Sequence, residues 1–181
     1  MRGTAVALAA AAAAGFLAAG CSATGHTVTT STSTAKPASV SHPATARVGG
    51  TLTITGMSSG EKMAVKLVRV ITDAHGSDQF NTPDKGNRFV AVQFQLTDSG
   101  SSAYSDSPDN SAAVIDSKGQ TYESDISTVA GCQSFPGSLN IPVGGTRLGC
   151  VVFQVPKTAK ITGVQFTLDS GMGPDTGQWK A

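Results

Sequence analysis

The chain has 181 residues, of which 39% are hydrophobic and only 14% are charged, with 21 glycines and a formal net charge of +1. This length allows one ordinary domain with appendages. The balanced charge gives no indication of a nucleic-acid-binding protein and excludes a polybasic tail. Low charge together with abundant Gly, Ser and Thr is typical of an exported, β-rich protein.

Residues 1–20 have the layout of an export signal. Arg2 supplies the positive start, an alanine-rich apolar run follows, and Leu17-Ala18-Ala19-Gly20-Cys21 ends the segment. The run is too short for a membrane-spanning helix, which needs about 20 consecutive apolar residues. Its last five residues resemble a bacterial lipobox, which implies that Cys21 is alkylated by diacylglycerol and becomes the new N-terminus. The alternative is an ordinary secretory cleavage site that precedes a cysteine by chance.

Residues 21–48 are predicted to be a disordered tether. The stretch is rich in Ser, Thr, Ala and Pro and has no apolar periodicity, so it cannot bury enough surface to offset its chain entropy. We expect this tether to hold the following domain, residues 49–181, away from a membrane. Removal of Arg2 with the signal leaves the remaining chain formally neutral.

Two cysteines remain once Cys21 is assigned to the anchor. Cys132 and Cys150 are an even pair in a compartment where disulfides persist, and we expect them to be bonded. A bridge that closes a loop of this size stabilises a fold by about 3 kcal/mol in the chain-entropy model. A redox pair or a pair of metal ligands is the alternative, although the sequence has neither a CxxC spacing nor a histidine beside them.

Apolar and polar residues alternate from Gly49 onward, which predicts about seven short β-strands. The alternating runs are 51–55, 62–70, 90–97, 113–115 with 120–122 as a hairpin, 147–155 and 161–168. The parity of the alternation changes near Val68, as it does at a β-bulge. The predicted fold class is therefore all-β, an antiparallel sandwich of about seven strands.

Three motifs resemble one family of bacterial proteins. They are Gly86-Asn87-Arg88-Phe89-Val90-Ala91-Val92-Gln93-Phe94, Ile115-Asp116-Ser117-Lys118-Gly119-Gln120-Thr121-Tyr122 and Val151-Val152-Phe153-Gln154-Val155-Pro156. In this order they are similar to the motifs of exported proteins classed as a domain of unknown function, and residues 48–179 resemble the actinobacterial lipoproteins of that family. The resemblance implies an immunoglobulin-like sandwich related to a secreted mycobacterial immunogenic antigen. It implies no catalytic residues.

One short motif matches a hydrolase pattern. Gly56-Met57-Ser58-Ser59-Gly60 fits G-x-S-x-G, in which a strained strand-to-helix turn exposes the nucleophilic serine. The residues after Gly60 alternate as a strand, so we expect a hairpin turn instead. His75 would have to be the general base, but a loop histidine is usually only solvated. We therefore predict no catalytic residue and keep an envelope hydrolase that uses Ser58 as the rival hypothesis.

Oxygen-donor side chains are frequent between Asp98 and Asp125. Calcium prefers such ligands, but the spacing does not match an EF-hand loop, and Asp and Asn are the usual residues of turns. We therefore expect turn residues and predict neither a metal site nor a cofactor. Trp179 is predicted to pack against the sandwich, with an exposed binding aromatic as the alternative.

Loops at the ends of a sandwich are the usual place for recognition. The long connections around Phe80 and Tyr104 are the predicted interaction loops, with plain connectors as the alternative. The sequence thus favours a non-enzymatic binding module, anchored through its N-terminal lipid on the extracytoplasmic face of the bacterial cell membrane. Its expected partner is an envelope protein or an extracellular ligand, and not nucleic acid.

Overall fold

The computed structural model describes residues 44–181, which form an all-β fold. Eleven strands and one short helix follow one another along the chain: β1 (Ala44–Arg47), β2 (Thr51–Thr55), β3 (Lys62–Ala74), β4 (Asn87–Asp98), β5 (Tyr104–Asp106), α1 (Pro108–Ser111), β6 (Ala112–Asp116), β7 (Thr121–Asp125), β8 (Leu139–Ile141), β9 (Thr146–Pro156), β10 (Ile161–Thr167) and β11 (Thr176–Lys180). The all-β class is confirmed, but the expectation of about seven strands is wrong. The unexpected strands β1, β5, β8 and β11 have only three to five residues each, too few for alternation to be recognised.

Nine of the strands form one hydrogen-bonded sheet in the order β1-β11-β10-β6-β7-β9-β4-β3-β2. This sheet folds over into two layers that share β7, which pairs with β6 on one side and with β9 on the other. The edge strands β1 and β2 are consecutive in the chain, so the short turn 48–50 brings the two edges of the sheet together. This closure protects strand edges that would otherwise be free to pair with other molecules. Strands β5 and β8 form a separate two-stranded sheet.

The main apolar core lies between the two layers, and aromatic rings connect them. Phe94 of β4 contacts Phe166 of β10 and Trp179 of β11, with ring centroids 5.1 and 6.2 Å apart in edge-on geometry. Trp179 is fully buried, and its indole Nε1 donates a hydrogen bond to the carbonyl oxygen of Gly50 at 3.0 Å. The prediction that Trp179 packs against the sandwich is confirmed.

A second, smaller apolar cluster covers the outer face of the layer that contains β4 and β9. Its buried members are Ala74, Phe89, Ala91, Val129, Cys132, Cys150 and Val152. Alternate residues of β4 therefore face two different clusters, since Val90 and Val92 belong to the main core. The Cys132–Cys150 disulfide, with Cα atoms 5.8 Å apart, joins the segment after β7 to β9 across this face. The predicted pairing of these cysteines is confirmed.

Local features of the alternating runs are also where the sequence places them. The pairing of β3 with β4 skips Val68, between Leu67 opposite Phe94 and Arg69 opposite Gln93, which is the expected bulge. Strands β6 and β7 form the expected hairpin. Residues 56–60 connect the antiparallel strands β2 and β3, so the serine motif lies in a hairpin turn.

The described fold begins earlier than the alternation does. Residues 44–47, which their composition predicts to belong to the tether, form β1 and pair in parallel with β11. Backbone hydrogen bonds alone define this strand, and of its side chains only Ala46 packs against the core, so an apolar pattern is absent. The export signal, Cys21 and the tether up to residue 43 lie outside the described residues. Between residues 44 and 181, no helix is long and apolar enough to cross a membrane.

Candidate functional site

Tyr104 is a core residue, and its assignment to an interaction loop is wrong. It begins β5, which pairs with β8 and turns the side chain inward, so that Tyr104 is only 1% exposed. Its backbone N–H donates to the carboxylate of Asp98 at 3.0 Å. Its hydroxyl is buried without a hydrogen-bond partner. Burial and the nearby charge of Asp106 raise the pKa of Tyr104, so this phenol stays neutral.

Phe80, by contrast, projects into solvent from the β3–β4 connection with 84% of its surface exposed. The turn that carries it is held by the carboxylate of Asp78. That group accepts hydrogen bonds from the backbone N–H groups of Phe80 at 2.8 Å and Asn81 at 3.1 Å, and from Asn81 Nδ2 at 2.9 Å. The bond from the Asn81 side chain, followed by that from Phe80 N–H, holds the pKa of Asp78 below its ordinary value. Phe80 is thus held on a turn that the ionised carboxylate of Asp78 stabilises.

The loop that carries Phe80, residues 75–82, is hydrogen-bonded to the loop that follows β7. Backbone and side-chain hydrogen bonds join the two: Ser77 N–H to Thr128 O at 3.0 Å, Thr128 N–H to Asn81 Oδ1 at 2.8 Å and Ala130 N–H to His75 O at 2.9 Å. A Cβ on residue 76 would overlap the carbonyl oxygen of Asn81, so only glycine fits this close approach within the Phe80 loop. Residues 75–82 and 126–132 therefore act as one unit, which we name the loop platform.

The second loop contributes an exposed apolar residue of its own. Ile126 is fully exposed. It lies between Asp125 and Ser127, and the Asp125 carboxylate accepts Ser127 N–H at 2.8 Å and Gln154 Nε2 at 2.8 Å. Ile126 lies outside the interaction loops that the sequence predicts. The available signal was a lone β-branched aliphatic residue inside an Asp-Ser turn, where no strand alternation explains it.

The loop platform is fastened to the sheet at three points. Val129 is buried in the outer apolar cluster, and Cys132 is bonded to Cys150 of β9. Arg69 of β3 donates from Nη2 to the carbonyl oxygen of Gly131 at 2.9 Å and from Nε to Gln93 at 2.9 Å. The platform therefore holds Phe80 and Ile126 on a support that is crosslinked to the sandwich.

The Ser58 and His75 pair of the rival hypothesis is not assembled. Ser58 lies before β3 and His75 lies after it, and this strand has 13 residues. An extended strand of this length spans about 40 Å, so the two side chains lie at opposite ends of the sandwich. A strand follows Ser58, whereas the hydrolase motif requires a helix.

Three of the aspartates between residues 98 and 125, namely Asp98, Asp116 and Asp125, accept backbone N–H groups of their own turns. Asp116 accepts the N–H groups of Lys118 at 2.8 Å and Gln120 at 2.9 Å and the hydroxyl of Tyr122 at 3.1 Å. Burial opposes the ionisation of Asp116, but these hydrogen bonds outweigh it and hold its pKa below the usual value. Among the residues that the structure describes, no group of three or more His, Cys, Asp or Glu side chains is placed to hold a metal ion.

Comparison with known proteins shows the family. A family model described as "Domain of unknown function (DUF4352)" matches residues 57–175. The chain belongs to the DUF4352 family. The matched range contains the whole loop platform and its disulfide but neither β1 nor Trp179. None of the curated proteins matches the chain.

Similar folds are found among solved structures. The secreted protein MPT63 from Mycobacterium tuberculosis is 18% identical with a TM-score of 0.59, and the match covers 78% of this chain and 99% of MPT63. The ycdA protein from Bacillus subtilis is 15% identical with a TM-score of 0.51, and the match covers 71% of this chain and 38% of ycdA. Similarity at this level of identity shows a shared β-sandwich fold.

Proposed function

We propose that this chain is an extracytoplasmic lipoprotein whose β-sandwich is a non-enzymatic interaction module that binds through the loop platform. The observation that carries the proposal is the exposure of Phe80 and Ile126 on loops that hydrogen bonds and a disulfide hold in place. Aromatic residues are enriched at the centres of interfaces, where they supply most of the binding energy. A support that is already ordered lowers the entropy cost of binding.

The proposed location has three supports of different kinds. The lipobox ends at Cys21, and two acyl chains on that residue suffice for stable anchoring. The disulfide between Cys132 and Cys150 fits an oxidising compartment. The similar folds include MPT63, which is secreted, and ycdA, a candidate lipoprotein. The immunoglobulin-like type of sandwich and an actinobacterial origin are further proposals that rest on the sequence resemblance.

Photo-crosslinking in intact cells tests the binding surface. Benzoylphenylalanine is placed at position 80 of the full chain, and the matched control carries it at position 172, where Met172 is also well exposed but lies in the turn before β11. We expect a discrete crosslinked product from position 80 only, lost in a second-site Ile126→Asp variant and kept in Met57→Asp. Identical products from both positions, or none from position 80, would contradict the proposed surface.

Membrane fractionation tests the anchor separately. Replacing Cys21 by Ala removes the acylated thiol, so the protein should move from the detergent phase to the aqueous phase on phase separation. Wild-type protein that partitions into water as completely as Cys21→Ala would refute lipidation without affecting the crosslinking result.

A further inference from the structure

The charged side chains of the described sandwich are sorted between its two ends. One end, where Ala44 begins β1, carries Glu61, Asp98, Asp106, Asp109, Asp169 and Asp175 with only Lys62 and Arg147 as cations. The opposite end carries Arg47, Lys85, Arg88, Lys118, Lys157, Lys160 and Lys180 against Asp73, Asp78, Asp84 and Asp116. We name these ends the acidic pole and the basic pole. A nearly neutral domain thus has two poles of opposite sign.

Two backbone hydrogen bonds and one from a side chain hold the turns of the basic pole together. The bonds are Lys157 N–H to Gly86 O at 3.0 Å, Arg88 Nη2 to Ala159 O at 2.7 Å and Ser117 N–H to Lys160 O at 2.8 Å. These contacts connect the start of β4, the β6–β7 turn and the β9–β10 turn. The lysines at positions 85, 118, 157 and 160 are exposed on these turns. Cations from three separate chain segments therefore share one fixed surface.

Arg88 lies where the basic pole meets the loop platform. It lines a cleft of about 300 Å³ together with Lys157 and, from the platform, His75 and Asn81. Its Nη2 is used by Ala159, while its buried Nε has no hydrogen-bond partner in the described structure. The bond to Ala159 fixes Arg88 at the edge of the basic pole, and the exposed lysines are the cations that a ligand can reach. Asp73 and Asp78 line the same cleft, so its own charge is mixed and the exposed lysines supply the positive charge of this pole.

We infer that the basic pole binds an anionic polymer of the cell envelope, a chain that repeats phosphate or carboxylate groups. This inference rests on the proposed extracytoplasmic location and gives the domain a second binding surface beside the loop platform. A repeating anion fits because the cations are spread over three turns, beyond the reach of one small ion. β1, the first described strand, begins at the acidic pole, so the basic pole is the far end of the described domain from Ala44.

Binding of the full chain in neutral detergent to immobilised polyphosphate tests this inference, with uncharged dextran as the blank. The pole variant is Lys118→Gln, Lys157→Gln and Lys160→Gln, and the matched control is Lys62→Gln, Lys66→Gln and Arg147→Gln, which removes the same number of charges elsewhere. We expect the pole variant to bind at least about tenfold more weakly, with a slope of log affinity against log salt that is smaller by about two. The control should stay within about twofold of the wild type.

Three results would overturn the inference. Equal weakening in both variants would show that net charge alone matters, and wild-type protein that ignores polyphosphate would remove the ligand class. Vesicles of phosphatidylglycerol that bind as tightly as polyphosphate through the same three lysines would identify a membrane surface instead. A poly-glutamate arm separates carboxylate from phosphate recognition. If the protein does not bind the polymer but still gives Phe80 crosslinks, the proposed function stands. If it binds the polymer but gives no Phe80 crosslink, only the loop platform is refuted as a binding surface.

Discussion

At the scale of single residues, Tyr104 shows what an unpaired buried polar atom does in this fold. Its hydroxyl is enclosed in the core without a partner, and the neighbouring Ser111 hydroxyl donates instead to Asp106 and to Ser107 O. A buried donor without an acceptor costs free energy that its removal recovers. The residue therefore contributes apolar packing and not recognition.

Tyr104→Phe is accordingly expected to leave the free energy of unfolding unchanged or to raise it by up to about 1 kcal/mol. Urea titration followed by the fluorescence of Trp179 measures this. The matched control is Tyr122→Phe, which should lower stability because it removes the hydrogen bond from Tyr122 to Asp116. A Tyr104→Phe protein that is the less stable of the two would show that its hydroxyl does find a partner.

Glu61, a residue of the acidic pole, makes the free energy of unfolding depend on pH. Burial raises the pKa of Glu61, and the charge of Asp169 adds to the rise, against a backbone hydrogen bond from Ser58. Asp106 adds a smaller repulsion. The folded state thus binds this proton more tightly than the unfolded chain does. Its stabilising contribution is complete below the ordinary pKa of 4.5 and is lost as the pH rises through the folded-state pKa.

Glu61→Gln should therefore be more stable than the wild type at about pH 7, with a difference that shrinks toward about pH 4. Thermal unfolding across this range checks the sign. Glu123→Gln, which alters an exposed carboxyl of β7, is the control. A difference for Glu61→Gln that does not change with pH would mean that packing of the amide, and not removal of the charge, caused it.

At the scale of elements, the disulfide matters because of what it fastens. It closes a loop of sequence separation 18 and fixes the half of the platform that contacts the Phe80 turn. In the chain-entropy model, its removal costs about 3 kcal/mol. Because the platform loops bond to each other, loss of the bridge should loosen both of them.

We expect the double variant Cys132→Ser with Cys150→Ser to unfold at lower urea and to exchange amide hydrogens faster in both platform loops, 75–82 and 126–132. The β6–β7 hairpin, which the bridge does not touch, is the internal control in the same mass-spectrometric experiment. Unchanged protection of residues 75–82 would show that the Phe80 turn does not depend on the bridge.

Gly149 of β9 sets how closely a loop approaches the sheet. A Cβ at this position would lie 2.5 Å from Cδ1 of Phe135, so the ring would have to move. Gly149→Ala should cost about 1–3 kcal/mol by overpacking. Gly163→Ala in β10 is the matched control, because its nearest neighbour, the Ile115 Cβ, would be 3.5 Å away. Equal losses in urea titrations of the two variants would attribute the effect to the strand backbone.

At the scale of the whole molecule, the closure of the long sheet depends on the turn 48–50, which connects its two edge strands β1 and β2. The turn 48–50 receives the hydrogen bond of the Trp179 indole, and the Gly50 carbonyl also accepts Leu67 N–H at 3.2 Å. One carbonyl thereby joins β11 to β3 across the line where the edges meet. This arrangement involves residues from both ends of the described chain.

Trp179→Phe keeps an aromatic ring but removes this donor and leaves a small void, so we expect a loss of about 1–2 kcal/mol. Circular dichroism must follow the unfolding, because the variant lacks the only tryptophan. If Trp179→Phe is as stable as the wild type, the indole hydrogen bond does not contribute to closing the sheet.

The sequence by itself determined the features that depend on near neighbours. Alternation identified seven strands, a change of parity located the bulge at Val68, and a glycine-serine run marked the turn that contains Ser58. The cysteine pairing followed once Cys21 was assigned elsewhere. Each of these conclusions uses residues within one strand or turn, or a simple count.

The tertiary structure alone decided which distant segments meet. It buried Tyr104 by pairing β5 with β8, exposed Ile126 on the loop that is hydrogen-bonded to the Phe80 loop, and added β1, whose backbone bonds leave no apolar pattern. It also separated charges that are mixed along the chain. Because most neighbouring strands are antiparallel, turns that are close in sequence lie at opposite poles. A charge count gives no positions, whereas the electrostatic field that a partner meets depends on where each charge lies.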